Sequence, residues 1–324
     1  MSIINLENIT KELIAAKKIA IAGHIRPDGD CIGSCTALYL YLMNNCHELG
    51  IEQVDVYLEP FGEEFNILPG TDKIRHSYDY DETYDLFISL DSSSLDRIGN
   101  AIRYFNSAKR KISIDHHITN ENYADVNHVV ANASSTCEVL YNLMNEDKIN
   151  EDIAMCLYVG IIHDTGIFRH SSTSDKTMEI AAALIRKGIN FTRLIDETFI
   201  QKTYTQLQVL GRCLTESVLL LEGKIIVSHI SKKTIDFYGL AYTDLNGIID
   251  QLRTAKNTEV AVFIYETDFN EHKVSLRSNG IVDVSKIAHL FGGGGHVKAA
   301  GYSMVGTVDD VIIKLLPQIK AQLT

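Results

Sequence analysis

Four short clusters in this chain group residue types that hold metal ions. The first, His24-Ile-Arg-Pro-Asp28-Gly-Asp30, sets one imidazole and two carboxylates directly behind an apolar run, with Gly29 free to turn the backbone between the acids. The second is Asp91, which ends the apolar run Leu86 to Leu90 and precedes three serines. The third is Asp115-His116-His117, behind Lys111 to Ile114, and the fourth is Asp164 in Gly160-Ile-Ile-His163-Asp164-Thr165-Gly166. Each has a plain structural alternative. Asp28 or Asp30 could cap a helix N-terminus, Asp91 could close a turn, one of the paired histidines could be a core residue, and Asp164 could precede a helix end closed by Gly166. Their order, and the placing of three of them behind predicted strands, favours a shared site. Two histidines and four aspartates suit Mn²⁺, with Mg²⁺ or Co²⁺ as alternatives, better than structural zinc, which takes Cys and His. Six such ligands exceed one ion. They suit two divalent cations about 3.5–4 Å apart, the arrangement that serves in-line attack of water on phosphorus.

Such residues need a scaffold that brings them to one edge. Short apolar runs at Lys18 to Ala22, Val54 to Leu58, Leu86 to Leu90 and Lys111 to Ile114 predict buried strands. Helical spacing predicts helices over Asp30 to Met43, Thr136 to Met144, Asp152 to His163 and Asp175 to Arg186. Strands alternating with helices give a parallel α/β sheet, and ligands collect at the carboxyl ends of such strands. Three of the predicted strands run into His24, Asp91 and Asp115.

No Pro-, Gly- or Ser-rich linker divides the chain, and Phe191 to Leu221 reads as continuous helix-like sequence. The predicted organisation is a catalytic domain over 1–190, a helical linker over 191–213 and a smaller α/β domain over 214–324. In the last of these, strands are predicted at Lys224 to Ile230, Val260 to Glu266, Lys273 to Arg277 and Tyr302 to Val305, with helices at Leu245 to Ala255, Val284 to Leu290 and Asp309 to Gln322. Between them stands Gly292-Gly293-Gly294-Gly295-His296. A glycine run is often a flexible connector, but inside a domain it fits better a backbone that must come close to a ligand, its N–H groups cradling a phosphate beside His296. Ser134-Ser135-Thr136 opens a predicted helix and could bind phosphate through Ser135, although a plain N-cap explains it as well.

In this order, His24-x-x-x-Asp28-x-Asp30, Asp91, Asp115-His116-His117 and Asp164 resemble the four motifs of the DHH phosphoesterase family. Gly292-Gly-Gly-Gly-His296-x-x-Ala-Ala-Gly301 resembles the substrate domain found in one of its subfamilies, so the likeness spans nearly the whole chain. The resemblance implies that His24, Asp28 and Asp91 hold one cation and that Asp30, Asp91, His116 and Asp164 hold the other, Asp91 bridging. It implies further that His117 contacts the phosphate or leaving group, and that Asp115 orients the paired histidines. Arg277, followed by Ser278 in Val-Ser-Leu-Arg-Ser, resembles the family's phosphate-binding arginine; its plain alternative is a surface ion pair. The group most similar, the nanoRNase/pAp phosphatases, hydrolyses very short oligonucleotides and 3′-phosphoadenosine 5′-phosphate (pAp). Rival readings are a RecJ-like single-strand exonuclease, an inorganic pyrophosphatase or exopolyphosphatase, and a nucleotide sensor without catalysis.

Composition narrows the classes. The chain of 324 residues is 45% hydrophobic and 22% charged, which excludes a disordered or fibrous protein. The net charge of −12 argues against a partner in duplex DNA. Residues 200–324 hold 13 Lys and Arg against 12 Asp and Glu, while residues 1–199 hold 17 against 30, so the surplus acid lies with the proposed ligands. No run reaches the ~18 apolar residues of a membrane span. The N-terminus shows no basic leader, and the six cysteines form no C-x-x-C pair. The expected setting is the cytoplasm, with short single-stranded oligonucleotides or small nucleotide phosphates as partners. A homodimer is among the assemblies left open.

Overall fold

Six strands, β1 (Lys18–Ala22), β2 (Gln53–Tyr57), β3 (Ile74–Arg75), β4 (Leu86–Leu90), β5 (Arg110–Asp115) and β6 (Val126–Val129), form one sheet in the order β3-β2-β1-β4-β5-β6. Every pairing in it is parallel. The computed structural model describes residues 7–323, and the chain divides into two units between Gln201 and Lys202. A parallel sheet is covered on both faces, which is why β4 is buried at every residue and reads as an unbroken apolar run. On one face Ile19, Ile21, Ile88 and Ile112 pack into a core with the helices Gly29–Asn44, Thr136–Leu143 and Glu151–Asp164. On the other, Ala20, Ala22 and Phe87 meet Tyr57, Tyr104 and Phe105. Each isoleucine so buried contributes about 1.5–3 kcal/mol. A Cβ on Gly33 would stand 2.5 Å from the Cys156 carbonyl oxygen, so this glycine lets two of the covering helices lie against each other.

From β1 the chain adds β2 and β3 on one side, then returns to lay β4, β5 and β6 on the other. The order reverses between β1 and β4, and a crevice opens beyond their carboxyl ends. His24 follows one of these strands and Asp91 the other.

The second unit carries a mixed sheet in the order β11-β12-β10-β9-β8-β7, built from β7 (Val218–Leu220), β8 (Ile225–Ile230), β9 (Val260–Asp268), β10 (Glu271–Ser278), β11 (Gly294–His296) and β12 (Ala299–Val305). Only β8 and β9 pair in parallel. Val274 and Leu276 face a core closed by the helices Val284–Leu290 and Val308–Leu323. Ile226 and Phe263 face a second core, which holds Val209 and Cys213 of the helix Tyr204–Thr215 and Ile248, Ile249 and Leu252 of the helix Ile248–Leu252.

The α/β architecture with a parallel N-terminal sheet is the one expected. The continuous linker helix is not present. A helix over Phe191–Ile195 runs into a π turn over Asp196–Ile200 and stops, and a new helix starts at Tyr204, capped by Thr203 and Gln206 in a reciprocal capping box. Leu194 belongs to the first unit's core and Val209 to the second's, so the expected linker of 191–213 is shared between them. Helical periodicity carries across such a break because the cap is made by side chains whose types also fit a helix interior. The helix expected from Leu245 to Ala255 is likewise shorter, since Gly247 takes a left-handed φ of 85° before Ile248–Leu252 begins.

Candidate active site

His24 holds its Nδ1 on the Ile25 carbonyl at 2.8 Å, which turns Nε2 toward Asp28 Oδ1 at 3.6 Å and Asp91 Oδ2 at 3.4 Å. His116 has the same arrangement. Its Nδ1 lies 3.4 Å from the Ala133 carbonyl, and its Nε2 faces Asp164 Oδ2 at 3.0 Å and Asp91 Oδ1 at 3.6 Å. An imidazole oriented through one nitrogen by a backbone carbonyl presents the other as a ligand. The two oxygens of Asp91 thus face different histidines. Asp91 is buried at the end of β4 with a left-handed φ of 54°, a conformation that strains most side chains but that aspartate tolerates better than others. Its amide donates to the Ile114 carbonyl of β5 at 3.1 Å, which fixes the turn.

Asp28 is an N-cap that also faces the site. Its Oδ1 accepts the amides of Asp30 and Cys31 at 3.1 Å as the N-cap of Gly29–Asn44, and the same atom faces His24. Asp30 is fully buried, and its carboxylate accepts the Thr136 amide at 2.6 Å and the Cys137 amide at 3.0 Å. The N-terminus of Thr136–Leu143 therefore receives the Asp30 carboxylate rather than a phosphate. Ser135, also fully buried, caps that helix by accepting the Glu138 amide at 3.0 Å, so its expected part in phosphate binding is corrected to the N-cap.

Asp115 is buried, and its Oδ1 accepts both the His116 amide at 2.8 Å and His117 Nδ1 at 2.7 Å. Asn120 donates to its Oδ2 at 2.7 Å. The His117 ring is thereby fixed 3.7 Å from Asp91 Oδ1.

Three donor groups come within 4.8 Å: His24, Cys31 and Asp91; Asp91, His116 and His117; and Asp30, His116 and Asp164. Their electrostatics fit a cation. Burial, and then the charges of Asp91 and Asp164, push the Asp30 carboxyl well above its usual range, and burial raises Asp164 as well. Burial works against a charged His24, but Cys31, Asp28 and Asp91 hold its imidazole up to about 12. Burial opposes a charged His116 too, and Asp164, Asp30 and Asp91 raise it to about 10. Like charges gathered out of water retain protons. Divalent cations would take the place of those protons, and oxygen donors with oriented imidazoles are a donor set that fits them.

Several residues of the site gave no signal in the sequence. Thr136 donates its hydroxyl to Asp91 Oδ1 at 3.0 Å, and Asn120 fixes Asp115, but both depend on partners far away in the chain. Cys31 stands among the donors, though its place in an apolar helix pattern reads only as core. His163, next to Asp164, lies with its ring against the Gly29 backbone and between Phe65 and Phe199, and burial lowers it to about 4.

In the second unit Arg277 lies at the end of β10, its Nε donating to Asp250 at 3.2 Å and its Nη1 to the Leu276 carbonyl at 3.2 Å. The ion-pair alternative is thus present in the structure. Ser278 alternates to the other face of β10 and is buried, 2% exposed, so it does not stand beside Arg277 as a substrate contact. The glycine run is not wholly a loop, since Gly294–His296 pairs antiparallel with Ala299 to Gly301. A Cβ on Gly293 would stand 2.2 Å from the Gly301 carbonyl oxygen, and one on Gly295, whose φ is 140°, 2.5 Å from that of Ala299. The close approach that these two glycines permit is to β12, which corrects the expectation that the whole run meets a ligand. Gly294 has open space where a Cβ would go, and His296 is exposed. Gly295→Ala is expected to lose about 1–3 kcal/mol of stability through its backbone conformation, whereas Gly294→Ala is expected to leave the thermal midpoint unchanged. Calorimetric scans of the two variants check this.

Comparison with known proteins follows the same division. Residues 18–161 match the DHH family, N-terminal domain, and residues 222–323 the DHHA1 domain. The bifunctional oligoribonuclease and PAP phosphatase NrnA of Bacillus subtilis is 30% identical over 293 residues, covering 88% of this chain and 89% of the relative. The protein of that name from Thermus thermophilus is 29% identical over 311 residues, covering 94% and 90%. Among solved structures, an exopolyphosphatase-related protein from Bacteroides fragilis superimposes with a TM-score of 0.89 at 26% identity, covering 97% of this chain and 95% of that one.

Proposed function

The chain belongs to the DHH family and is a metal-dependent hydrolase of phosphoester bonds, and on that premise we propose that its substrates are very short oligonucleotides, cut to mononucleotides, and pAp, cut to AMP. The names of the two NrnA relatives support this reading. The observation that carries it is Asp91, strained at the crevice between β1 and β4 with one oxygen toward each oriented histidine.

In this reading His24, Asp28 and Asp91 hold one divalent cation, and Asp30, Asp91, His116 and Asp164 hold the other. Mn²⁺ fits the donors best. When bound, such cations supply positive charge at the phosphate and acidify water for in-line attack. The chain's own residues arrange the rest. Asp91 fixes the spacing of the two sets, and Thr136 keeps its carboxylate from turning. Asp30, held by two amides, keeps its oxygens at the crevice floor. Asp115 accepts His117 Nδ1, so Nε2 is the ring atom left for the phosphate or the leaving oxygen. Arg277, His296 and the open backbone at Gly294 bind the substrate's phosphate, with Gly293 and Gly295 holding that backbone in place.

Incubation with Mn²⁺ and, separately, pAp, linear di-adenylate, a long RNA, pyrophosphate and polyphosphate tests the assignment. Fastest turnover of pAp and di-adenylate supports it. Faster turnover of long RNA, pyrophosphate or polyphosphate rejects it.

The division of roles gives its own expectation. Arg277→Ala and His296→Ala retain the full metal content, because every proposed ligand lies before residue 165, yet kcat/KM for pAp falls by about 2–4 kcal/mol in transition-state stabilisation. Elemental analysis beside kinetics checks it; loss of metal with unchanged kcat/KM would reverse the roles.

A further inference from the structure

A pocket of about 650 Å³ in the first unit takes no part in the chemistry described so far. It is lined by His76, Tyr78 and Asp79 from the loop behind β3, and by Asn100 and Arg103 from the turn and helix behind β4. Its walls belong to elements that neighbour those carrying the candidate metal ligands. The loop leaves the carboxyl end of β3, two strands from β1 in the same sheet, which is about 10 Å at ordinary strand spacing. Ile25, adjacent to His24, donates its amide to the Arg97 carbonyl at 2.7 Å, and a Cβ on Gly99 would stand 2.5 Å from the Ile25 side chain. Glu59, just behind β2, accepts the Arg26 amide at 2.7 Å.

The walls are held in position. Arg103 donates to the Tyr78 carbonyl at 2.7 Å, and Tyr104 donates to the Tyr80 carbonyl at 3.0 Å, which pins the loop to the helix Ile102–Ser107. Tyr78 stacks on Tyr57 with ring centroids 6.0 Å apart, and His76 donates Nδ1 to the Leu58 carbonyl at 3.0 Å with its ring edge-on to Phe61. Asn100, by contrast, is exposed at the pocket and makes no side-chain hydrogen bond among the described residues, so its amide is accessible to a ligand without breaking a bond within the chain. Two aromatic rings, a free amide, a carboxylate and a guanidinium around one concavity are the groups that stack a base and bond its edges. The volume is that of a small-molecule site and suits one nucleoside.

We propose that this pocket is the subsite for the second nucleoside of a linear dinucleotide, with Tyr78 and His76 against the base and Asn100, Asp79 and Arg103 on its polar edges and ribose. The proposal rests on the reading of the protein as a hydrolase of short oligonucleotides. pAp, with a single nucleoside, has nothing to place there.

Asn100→Ala and Arg103→Ala test it, with kcat/KM measured for linear di-adenylate and for pAp at fixed Mn²⁺. The expected result is a fall of about tenfold or more in the ratio of di-adenylate to pAp efficiency, mainly through a higher KM for di-adenylate. An unchanged ratio, whether both efficiencies fall together or neither does, overturns the subsite. Arg103 also holds the loop, so Asn100→Ala, which breaks no bond within the described residues, decides if Arg103→Ala fails to fold. A second measurement needs no turnover: quenching of a 2-aminopurine dinucleotide by the protein should weaken about tenfold in Asn100→Ala, and equal quenching counts against the subsite. If the native chain hydrolyses pAp but no dinucleotide, the functional reading itself falls, which is a different outcome from an unchanged ratio in an active enzyme.

Discussion

Asp91→Asn lowers turnover of any phosphoester substrate by about a thousandfold or more, and the variant retains fewer than two cations per chain. The size follows from the position. No other carboxylate in the site faces both His24 and His116, at 3.4 and 3.6 Å, so neutralising it weakens both donor sets at once and removes the charge that fixes their spacing. A thousandfold is about 4 kcal/mol in barrier height. Asparagine is the informative replacement because it also tolerates the left-handed φ of 54°. Asp91→Ala adds backbone strain, so its loss of activity would mix chemistry with folding. Single-turnover kinetics and elemental analysis of the asparagine variant decide the point. Near-normal turnover with two bound cations would reduce Asp91 to a strand-end turn.

Removal of metal by a chelator abolishes hydrolysis entirely, and it also lowers the thermal midpoint of the first unit. Folded protein gathers Asp28, Asp30, Asp91 and Asp164 around two histidines; burial and then Asp91 and Asp164 push Asp30 upward, and burial and then Asp91 push Asp164 upward. A cation that binds only the folded chain stabilises it by about 4 kcal/mol at a thousand times its dissociation constant. For a unit of this size that corresponds to a rise of about 8–16 °C. Calorimetric scans with and without Mn²⁺ check it. The C-terminal unit, which carries none of the proposed ligands, should keep its midpoint, and a midpoint unmoved in both units would argue that the cluster holds no ion.

What could be read in the sequence, and what could not, follows the range of the interactions. β4 and the helix Val284–Leu290 have the expected bounds because burial on one or both faces writes itself into local periodicity. His24, Asp91 and Asp115 stood out through their order and their shared place behind apolar strands, where ligands of a parallel sheet collect. β6, Val126–Val129, was not expected, since an edge strand that is only half-buried carries no apolar run. Thr136 and Cys137 reach Asp30 across 106 and 107 residues, and no local pattern announces such a partner. The glycine run misled for a related reason. A close approach was required, but the surface approached is the chain's own strand β12. Ser278 was placed with Arg277 because neighbours in sequence look alike as motif members, whereas the pleat sends them to opposite faces.

The bond from Asp30 to the amides of Thr136 and Cys137 also bears on how the protein comes into being. Loops of that length close late and slowly, because their entropy is lost before any contact rewards it. A nascent chain emerging from the ribosome has His24, Asp28 and Asp30 in hand long before Asp164 is synthesised. Until Thr136 and Cys137 arrive, Asp30 lacks the helix N-terminus that holds it, and until Asp164 arrives His116 lacks its nearer carboxylate. The donor set of Asp30, Asp91, His116 and Asp164 is therefore complete only after the chain has closed through Asp164, and uptake of the second cation during synthesis reports that closure rather than an earlier step.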